Sequence, residues 1–309
     1  MRIVYMGTSD FAVPPLKRIK EEGYEIPLVI TQPDRPKNRG MKVQPTPVKI
    51  QAEEYGIPVL QPESISDSSE LIRYLQETDP DIIVVAAYGK LLPKSLLSLP
   101  RLGCVNIHAS LLPKYRGAAP IQRAILSGDA ETGVTLMYMS EGMDEGDMIA
   151  KKAVPIDNKT AGQLWNELAL LGADLLAETL PAIEAGTAGR TAQDSNLATY
   201  APKITKEDGL VDFHQKAEVI ERQIRAMNPR PGAYTFLEGV PIKLFSAELV
   251  GSDVNDRPGL IKDVSRKGIL VAAGEGDLLV TRIQMPGKRP MDVSEYIKGN
   301  KIEIGTVLG

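Results

Sequence analysis

The chain is poor in residues that cross-link proteins or bind metals. Its 309 residues include one cysteine, Cys104, and two histidines, His108 and His214. A single cysteine excludes an intramolecular disulfide bond and a zinc site built from several thiolates. Any chemistry that needs an imidazole has at most these two histidines to use. We therefore expect a protein of a reducing compartment, the cytoplasm, that binds no metal ion.

Long apolar runs and aromatic side chains are also scarce. No segment approaches the roughly 20 consecutive apolar residues that cross a bilayer, and the start, MRIVYMGTSD, does not have the pattern of a secretory signal peptide. Aromatic residues make up 5% of the chain, which disfavours a protein that binds nucleic acid mainly by stacking bases. The formal net charge of −4 argues against a surface that is basic throughout, but it does not exclude a local basic contact.

The first 150 residues alternate short apolar runs with helical segments. Continuous apolar runs such as the IIVVAA within DIIVVAA at 81–87 are typical of strands that are covered on both faces of a parallel sheet. The alternation predicts βαβ units and a Rossmann-like open, mostly parallel α/β sheet. The predicted strands are 2–6, 26–30, 57–60, 81–87 and 105–108, and the predicted helices are 12–22, 46–55, 68–77 and 119–127. A hairpin at 135–139 and 148–156 and a long helix at 161–185 follow.

From about residue 208 the pattern becomes that of a small β domain. A helix at 218–227 is followed by the helix-breaking cluster NPRPG and by short strands separated by turn residues. These strands are predicted at 233–237, 242–250, 259–263, 269–273 and 278–285. Five strands in about 100 residues favour an OB-like β-barrel. We therefore expect an α/β domain that carries the chemistry at 1–186, a linker at 187–207 and an OB-like domain at 208–309.

The nucleotide-binding motifs common in α/β proteins are absent from the sequence. The turn after the first predicted strand, GTSDF, contains only Gly7, whereas the dinucleotide fingerprint needs three spaced glycines. A GxxxxGK[ST] phosphate-binding loop does not occur either. A plain tight turn is therefore favoured over a dinucleotide site.

The predicted strand at 105–108 carries two polar residues on one face. Asn106 and His108 are two residues apart, and side chains alternate between the faces of a strand. Ligands of open α/β sheets bind beyond the carboxyl ends of strands, and this strand ends at His108. Burying a polar pair is costly unless the pair has partners or a function. The two residues are a candidate active site, with a hydrogen-bonded structural pair as the alternative.

Two loops stand out by their charge. The segment SEGMDEGD at 140–147 lacks the ligand spacing of a calcium loop and on its own is typical of a solvated turn. The segment 35–49 contains basic residues and no acidic residue; its basic residues are Arg35, Lys37, Arg39, Lys42 and Lys49. Its prolines argue against regular structure. A basic loop on an acidic chain is a candidate contact for phosphates, with a solvated surface loop as the alternative.

Several motifs, taken in order along the chain, resemble the formyltransferase family that uses 10-formyltetrahydrofolate. The motifs are MGT at 6–8, TQPDRP at 31–36, NIH at 106–108, SLLP at 110–113, RGAAP at 116–120, GMDEGD at 142–147 and IRAMNP at 224–229. A single motif of this kind is weakly specific, whereas their shared order over nearly the whole chain is strongly specific. Arg230 departs from the family pattern, in which many members have tryptophan after Asn-Pro.

The resemblance implies a catalytic set and a donor site. Asn106, His108 and Asp144 match the catalytic trio of the family. Four further residues match its folate-contacting turn, namely Ser110, Leu111, Leu112 and Pro113. The implied donor is 10-formyltetrahydrofolate, and the implied reaction is formyl transfer to an amine.

The resemblance also implies a particular acceptor. The loop around Arg39 and Lys42 matches an insertion that meets the acceptor stem of a tRNA, and the C-terminal barrel would help to hold that tRNA. The implied amine is the α-amino group of methionine on initiator tRNA, formylated for translation initiation. We expect the protein to act as a monomer and to contact no membrane.

Three other functions stay open at this point. A transferase acting on another amine, such as glycinamide ribonucleotide or an amino sugar nucleotide, would share the N-terminal half but needs neither the basic loop nor the barrel. A non-catalytic RNA-binding protein would not need Asn106, His108 and Asp144 together. A folate-dependent hydrolase would use the same three residues with water as the acceptor.

Overall fold

The chain folds into two compact units. The computed structural model describes residues 1–37, 42–65, 69–251 and 256–309. The first unit consists of Met1–Pro120, Glu131–Pro155 and Trp165–Pro202, and the second consists of Ile121–Ala130, Ile156–Leu164 and Lys203–Gly309. Within these described ranges, no helix combines the length and the apolar character needed to span a membrane.

The first unit is built around a mixed β-sheet. Its strands, in chain order, are Arg2–Gly7 (β1), Glu25–Ile30 (β2), Arg35–Lys37 (β3), Lys42–Gln44 (β4), Val59–Leu60 (β5), Ile82–Ala86 (β6), Cys104–His108 (β7), Arg116–Gly117 (β8), Glu131–Tyr138 (β9), Met148–Pro155 (β10) and Tyr200–Ala201 (β11). The main sheet has the order β10–β9–β7–β6–β1–β2–β5, while β3 pairs with β4 and β8 pairs with β11. Strands β1, β2, β5, β6 and β7 are parallel, and β9 and β10 add an antiparallel edge.

This topology confirms the predicted Rossmann-like, mostly parallel sheet. The chain leaves β1 toward β2 and β5 on one side and then returns to place β6 and β7 on the other side. The direction of winding therefore reverses between β1 and β6, which is where open α/β sheets form a crevice at the carboxyl ends of their strands. Every residue of β6 is buried, as expected for a central strand covered on both faces.

One helix in this part of the chain begins at a start signal that its sequence supplies. The helices here are Val13–Glu21 (α1), Pro47–Glu54 (α2), Ser69–Thr78 (α3), Lys94–Leu97 (α4), Pro120–Ser127 (α5) and Ala161–Glu184 (α6). In α2 the hydroxyl of Thr46 accepts a hydrogen bond from the backbone N–H of Lys49 at 3.1 Å, and Pro47 occupies the first turn. Both features are typical of helix N-termini, because they satisfy or remove an unpaired donor.

Helix α6 determines which face of β7 is free for chemistry. A Cβ added at Gly172 of α6 would lie 2.7 Å from Cγ2 of Ile107, so the glycine lets the helix approach the strand closely. Val105 and Ile107 are buried. Because side chains alternate along a strand, Asn106 and His108 lie on the face of β7 opposite α6.

The basic segment contains more regular structure than its prolines predict. Strands β3 and β4 pair in an antiparallel ribbon with Pro36 opposite Val43, so the expectation of an irregular loop was wrong for these residues. Proline is compatible with a strand where no backbone N–H is needed for pairing. Residues 38–41, which include Arg39, lie outside the described residues.

The hairpin of β9 and β10 requires a glycine at position 133. A Cβ there would overlap the carbonyl oxygen of Lys152 in β10 and would lie 2.6 Å from Cδ2 of Leu111. The backbone oxygen cannot move aside without breaking the strand pairing. The lack of a side chain at Gly133 therefore allows β9 to pack closely against both β10 and the turn that begins at Ser110.

We predict that Gly133→Ala destabilises the protein by about 1–3 kcal/mol, the usual cost of inserting an atom into a packed core. The measurement is the free energy of unfolding from urea denaturation. Gly189→Ala is the matched control, because a Cβ at Gly189 would meet nothing within 4 Å. The control should change stability by less than about 0.5 kcal/mol. Equal stability of the two variants would contradict the packing argument.

The second unit contains an antiparallel β-sheet, as predicted. Its strands and helices are Ala233–Leu237 (β12), Val240–Val250 (β13), Ile261–Ser265 (β14), Gly268–Ala272 (β15), Asp277–Gln284 (β16), Met291–Asp292 (β17), Ala217–Met227 (α7) and Val293–Tyr296 (α8). The order is β12–β13–β16–β15–β14, with β17 beside β16. The C-terminal residues reach both outer strands: the N–H of Ile261 in β14 donates to Thr306, and that of Gly309 donates to Phe236 in β12. These bonds bring the two sheet edges together, as in a small barrel.

Candidate active site

The carboxyl end of β7 carries two polar side chains, those of Asn106 and His108. Asn106 is half-buried and His108 is 6% exposed. Within the part of the chain that the structure describes, the side chain of Asn106 makes no hydrogen bond. Both side chains lie on the face of β7 that α6 leaves free. Asn106 can therefore donate both of its amide hydrogens to a bound molecule.

His108 is held from two sides. Its Nε2 lies 2.9 Å from the carbonyl oxygen of Tyr115, and because a carbonyl only accepts, Nε2 carries the hydrogen. Its Nδ1 lies 3.5 Å from Oδ2 of Asp144, which is longer than an ordinary N–H···O hydrogen bond. The second contact is thus loose enough for Nδ1 to be shared with another oxygen atom, such as that of a substrate.

The acidic loop brings Asp144 to His108 from a different part of the sheet. Asp144 has a φ of +53°, a conformation that aspartate adopts more readily than most residues. Its Oδ2 accepts a hydrogen bond from the backbone N–H of Gly117 at 2.8 Å, and its side chain is 18% exposed. The structure therefore brings Asp144 to His108, two residues along β7 from Asn106, although Asp144 lies in a loop whose composition alone indicated a solvated turn.

Two further side chains support the Asp144 loop, and the sequence analysis missed both. The amide nitrogen of Gln193 donates to the carbonyl oxygens of Asp144 and Gly146, each at 2.8 Å. Its amide oxygen accepts from Nε of Arg116 at 3.0 Å. The guanidinium of Arg116 is 4% exposed and lies 3.5 Å from Glu145. No local pattern signals these contacts, because they join segments far apart in the sequence.

The segment 191–201, predicted as linker, packs along the loops of the first unit. Thr191 exchanges two backbone hydrogen bonds with Met148. Thr199 binds the backbone of Tyr115 through its hydroxyl, and its carbonyl accepts from the N–H of Arg116, both at 2.8 Å. Strand β11 continues this contact by pairing with β8. The segment therefore holds the loop that carries the Tyr115 carbonyl toward His108.

The turn predicted to contact folate is anchored by its polar atoms. The hydroxyl of Ser110 donates to the carbonyl of Lys114 at 2.6 Å, and Thr135 bridges the Ser110 carbonyl and the Leu112 N–H. Ser110 and Leu112 are buried, whereas Leu111 and Pro113 are half-buried. A ligand at this turn would therefore meet Leu111, Pro113 and the backbone rather than the Ser110 hydroxyl.

Two other kinds of site remain to be considered, a reactive cysteine and a metal centre. Burial raises the pKa of the Cys104 thiol to about 12, so it stays protonated at neutral pH and is not a nucleophile. The described residues contain no group of three or more histidine, cysteine, aspartate or glutamate side chains that could hold a metal ion.

One of the basic residues in the predicted phosphate-binding segment is engaged within the protein. Nζ of Lys49 lies 2.7 Å from Asp34 and 2.8 Å from Gln61. The hydrogen bonds from Lys49 and Gln61 hold the pKa of the Asp34 carboxyl below its usual value. Lys49 therefore anchors the base of the β3–β4 ribbon. Lys42 begins β4, and its side chain, like Arg39, lies outside the described part of the structure.

Two family models match the chain over most of its length. The model Formyl transferase matches residues 1–180, and the model Formyl transferase, C-terminal domain matches residues 203–301. Together with the sheet topology, these matches show that the chain belongs to the formyl transferase family.

Full-length relatives narrow the assignment within that family. Methionyl-tRNA formyltransferase from Clostridioides difficile is 49% identical over 310 residues, with 100% of both chains covered. The methionyl-tRNA formyltransferase from Caldanaerobacter subterraneus subsp. tengcongensis is 48% identical over 309 residues, again with 100% of both covered. That from Geobacter sulfurreducens is 46% identical over 310 residues, which cover 100% of this chain and 97% of the relative. The chain groups with the methionyl-tRNA formyltransferases.

Solved structures of more distant proteins share the fold. HypX from Aquifex aeolicus in complex with tetrahydrofolic acid aligns with a TM-score of 0.66 and 18% identity over 99% of this chain, which spans about half of that protein (50%). The N-formyltransferase from Helicobacter canadensis, in complex with folinic acid and dTDP-3-aminofucose, aligns with a TM-score of 0.64 and 19% identity and covers 90% of this chain and 98% of that one. These identities are low, so the alignments are informative about the fold alone.

Proposed function

We propose that the protein transfers the formyl group of 10-formyltetrahydrofolate to the α-amino group of methionine on initiator tRNA. The single observation that carries the proposal is the amide of Asn106, which has no hydrogen-bond partner among the described residues and lies on the same strand end as His108, the residue that contacts Asp144. The full-length identity of 45–49% to methionyl-tRNA formyltransferases supports the choice of acceptor. The protein acts in the cytoplasm as a monomer.

The acceptor needs little activation. An α-amino group has a reference pKa of about 7.7–8.0, so a fair fraction is already neutral and nucleophilic at pH 7. The difficult part of the reaction is the negative charge that develops on the formyl oxygen when the amine adds to the carbon. The site therefore has to supply hydrogen-bond donors rather than a strong base.

Asn106 and His108 supply those donors. The amide of Asn106 donates to the formyl oxygen, and Nδ1 of protonated His108, which has only a loose contact with Asp144, donates to the same atom. Donors fixed in advance stabilise a developing charge without the cost of reorganising water. The hydrogen bond from Nε2 to Tyr115 keeps the ring in place while Nδ1 acts.

Asp144 and His108 then carry out the two proton transfers that the reaction requires. Addition leaves the methionine nitrogen with an extra proton, and Asp144 accepts it. His108 donates a proton to N10 of the folate as the bond between N10 and the formyl carbon breaks. The products are formylmethionyl-tRNA and tetrahydrofolate, and the charges balance when Asp144 returns its proton to His108.

The donor binds beside the turn formed by Ser110, Leu111, Leu112 and Pro113. Leu111 and Pro113 are the half-buried members, and they offer an apolar surface next to the end of β7. Two distant structures of the same fold were determined with tetrahydrofolic acid and folinic acid, which supports a folate as the formyl donor. No metal ion takes part in the proposed reaction.

The basic segment around Arg39 and Lys42 contacts the acceptor stem of the tRNA. We predict that Arg39→Ala and Lys42→Ala raise the KM for charged tRNA and leave kcat within about twofold. Each phosphate contact that is lost should also reduce the salt dependence of tRNA affinity by about one unit of slope. Lys17→Ala, on the exposed side of α1, is the control and should change neither quantity. Unchanged KM and slope in both loop variants would remove this segment from the tRNA site.

A panel of amine acceptors tests the proposed function. The purified protein is incubated with 10-formyltetrahydrofolate and, separately, charged initiator tRNA, charged elongator tRNA, glycinamide ribonucleotide, an amino sugar nucleotide or no amine. We expect rapid formylation of charged initiator tRNA alone. Preferential formylation of a small amine would make the protein a different transferase, and release of formate without any amine would make it a hydrolase.

A further inference from the structure

Gln193 links two elements of the site that are otherwise separate in the sequence. Its amide nitrogen holds the carbonyl oxygens of Asp144 and Gly146, and its amide oxygen is held by Arg116. Because the Arg116 guanidinium can only donate, it fixes which end of the Gln193 amide is the oxygen. The nitrogen must then face the Asp144 loop, with both of its hydrogens used.

The Asp144 loop needs such support because of its backbone conformation. Asp144 has a φ of +53°, in the left-handed region, which costs free energy for residues other than glycine, although less for aspartate than for most. A residue of this kind keeps its conformation only where the surroundings hold it. The two hydrogen bonds from Gln193 hold the backbone of the loop at Asp144 and two residues later at Gly146, and thereby fix the direction of the Asp144 side chain.

The direction of that side chain matters for His108. Oδ2 of Asp144 lies 2.8 Å from the N–H of Gly117 and 3.5 Å from Nδ1 of His108. A small rotation of the loop would break the first contact and lengthen the second. Arg116 and Gly117 form β8, so the element that fixes Gln193 also supplies the N–H that binds Asp144.

We propose that Gln193 is a positioning residue that holds the Asp144 carboxylate in register with His108. This inference rests on the roles proposed above for Asp144 and His108. Gln193 touches neither the formyl group nor the amine and acts through the backbone of the loop. The two N–H donors of Gln193 hold the loop in position, and the hydrogen bond from Arg116 orients these donors.

Two substitutions separate this role from a purely structural one. Gln193→Met removes both donors and the acceptor, whereas Gln193→Glu removes the donors and keeps an oxygen facing Arg116. If the contact with Arg116 were the important one, Gln193→Glu would retain full activity. We expect both variants to lower kcat about 10- to 100-fold, the scale of a misplacement of about 1 Å at a reacting group. The KM values for tRNA and folate should stay within about twofold.

A double-mutant cycle with Asp144→Asn tests whether Gln193 acts through Asp144. In the Asp144→Asn background, Gln193→Met should cause little further loss, because the carboxylate that it positions is already absent. Gln76→Glu, on the exposed side of α3, is the control for the substitution itself and should leave kcat unchanged. Full activity of Gln193→Glu, or losses that multiply independently in the double variant, would overturn the proposal.

A spectroscopic measurement tests the same point without any activity assay. The chain has only two histidines, so the ring ¹⁵N signals of His108 can be assigned by comparison with His108→Ala. We expect Gln193→Met to move the His108 signals in the same direction as Asp144→Asn and to leave those of His214 in place. Unchanged His108 signals would overturn the positioning role. Failure of the unmodified protein to formylate charged tRNA would instead overturn the proposed function.

Discussion

Replacing Asn106 by alanine is expected to lower kcat for formyl transfer by about 100- to 1000-fold. This is the usual cost of removing one donor from an oxyanion site, roughly 3–4 kcal/mol in the activation barrier. The amide of Asn106 has no hydrogen-bond partner among the described residues, so its loss leaves no protein group unpaired. The loss in kcat should therefore appear in a protein of nearly unchanged stability. Steady-state formylation of charged initiator tRNA and thermal unfolding measure the two quantities.

The control for Asn106→Ala is a second asparagine-to-alanine substitution, placed away from the site. Asn166→Ala serves, because Asn166 is exposed on α6. We expect this control to retain wild-type kcat. If Asn106→Ala also retained kcat in a folded protein, Asn106 would have no catalytic role and the oxyanion site would have to lie elsewhere.

Replacing Asp144 by asparagine is expected to lower kcat by at least about 100-fold, the lower range for the loss of a group in proton transfer. Asparagine keeps the size of the side chain and an oxygen that can accept from the N–H of Gly117, which Asp144 binds at 2.8 Å. It removes the negative charge that faces Nδ1 of His108 and the site that receives the proton from the amine. The variant should therefore fold normally and lose the chemical step.

Asp147→Asn is the matched control, because it makes the same change three residues further along the loop. We expect its kcat to remain within about twofold of the wild type. A loss in Asp147→Asn as large as that in Asp144→Asn would mean that the overall charge of the loop matters rather than one carboxylate. Full activity of Asp144→Asn would exclude Asp144 from proton transfer.

The fold was predictable from the sequence because its strands and helices have strong local patterns. Strand β6 is an unbroken apolar run, and the structure buries all of it. The placement of Asn106 and His108 on one face follows from the alternation of side chains in β7 alone. Patterns of this kind can be recognised without knowing the tertiary contacts, so they predict the strands and helices correctly.

The rest of the candidate site was not predictable from local patterns. The loop around Asp144 looked like a solvated turn, and only the family resemblance singled out that residue. Gln193 lies 49 residues from Asp144 in the sequence, and Thr199 lies 84 residues from Tyr115. Their side chains act on backbone atoms of distant loops, and such contacts leave no periodic signal. The β3–β4 ribbon is not predictable from composition, because a proline-rich segment disfavours strand pairing unless its prolines stand where no backbone N–H is needed.

The central claim is that the amide of Asn106 polarises the formyl carbonyl in the bound donor. Infrared difference spectroscopy with a ¹³C-labelled formyl group measures this polarisation directly, in the absence of tRNA. We predict that the carbonyl stretching frequency is lower in the wild-type complex than in the Asn106→Ala complex, because a hydrogen bond weakens the C=O bond. The same frequency in both complexes, with both proteins saturated, would contradict the account.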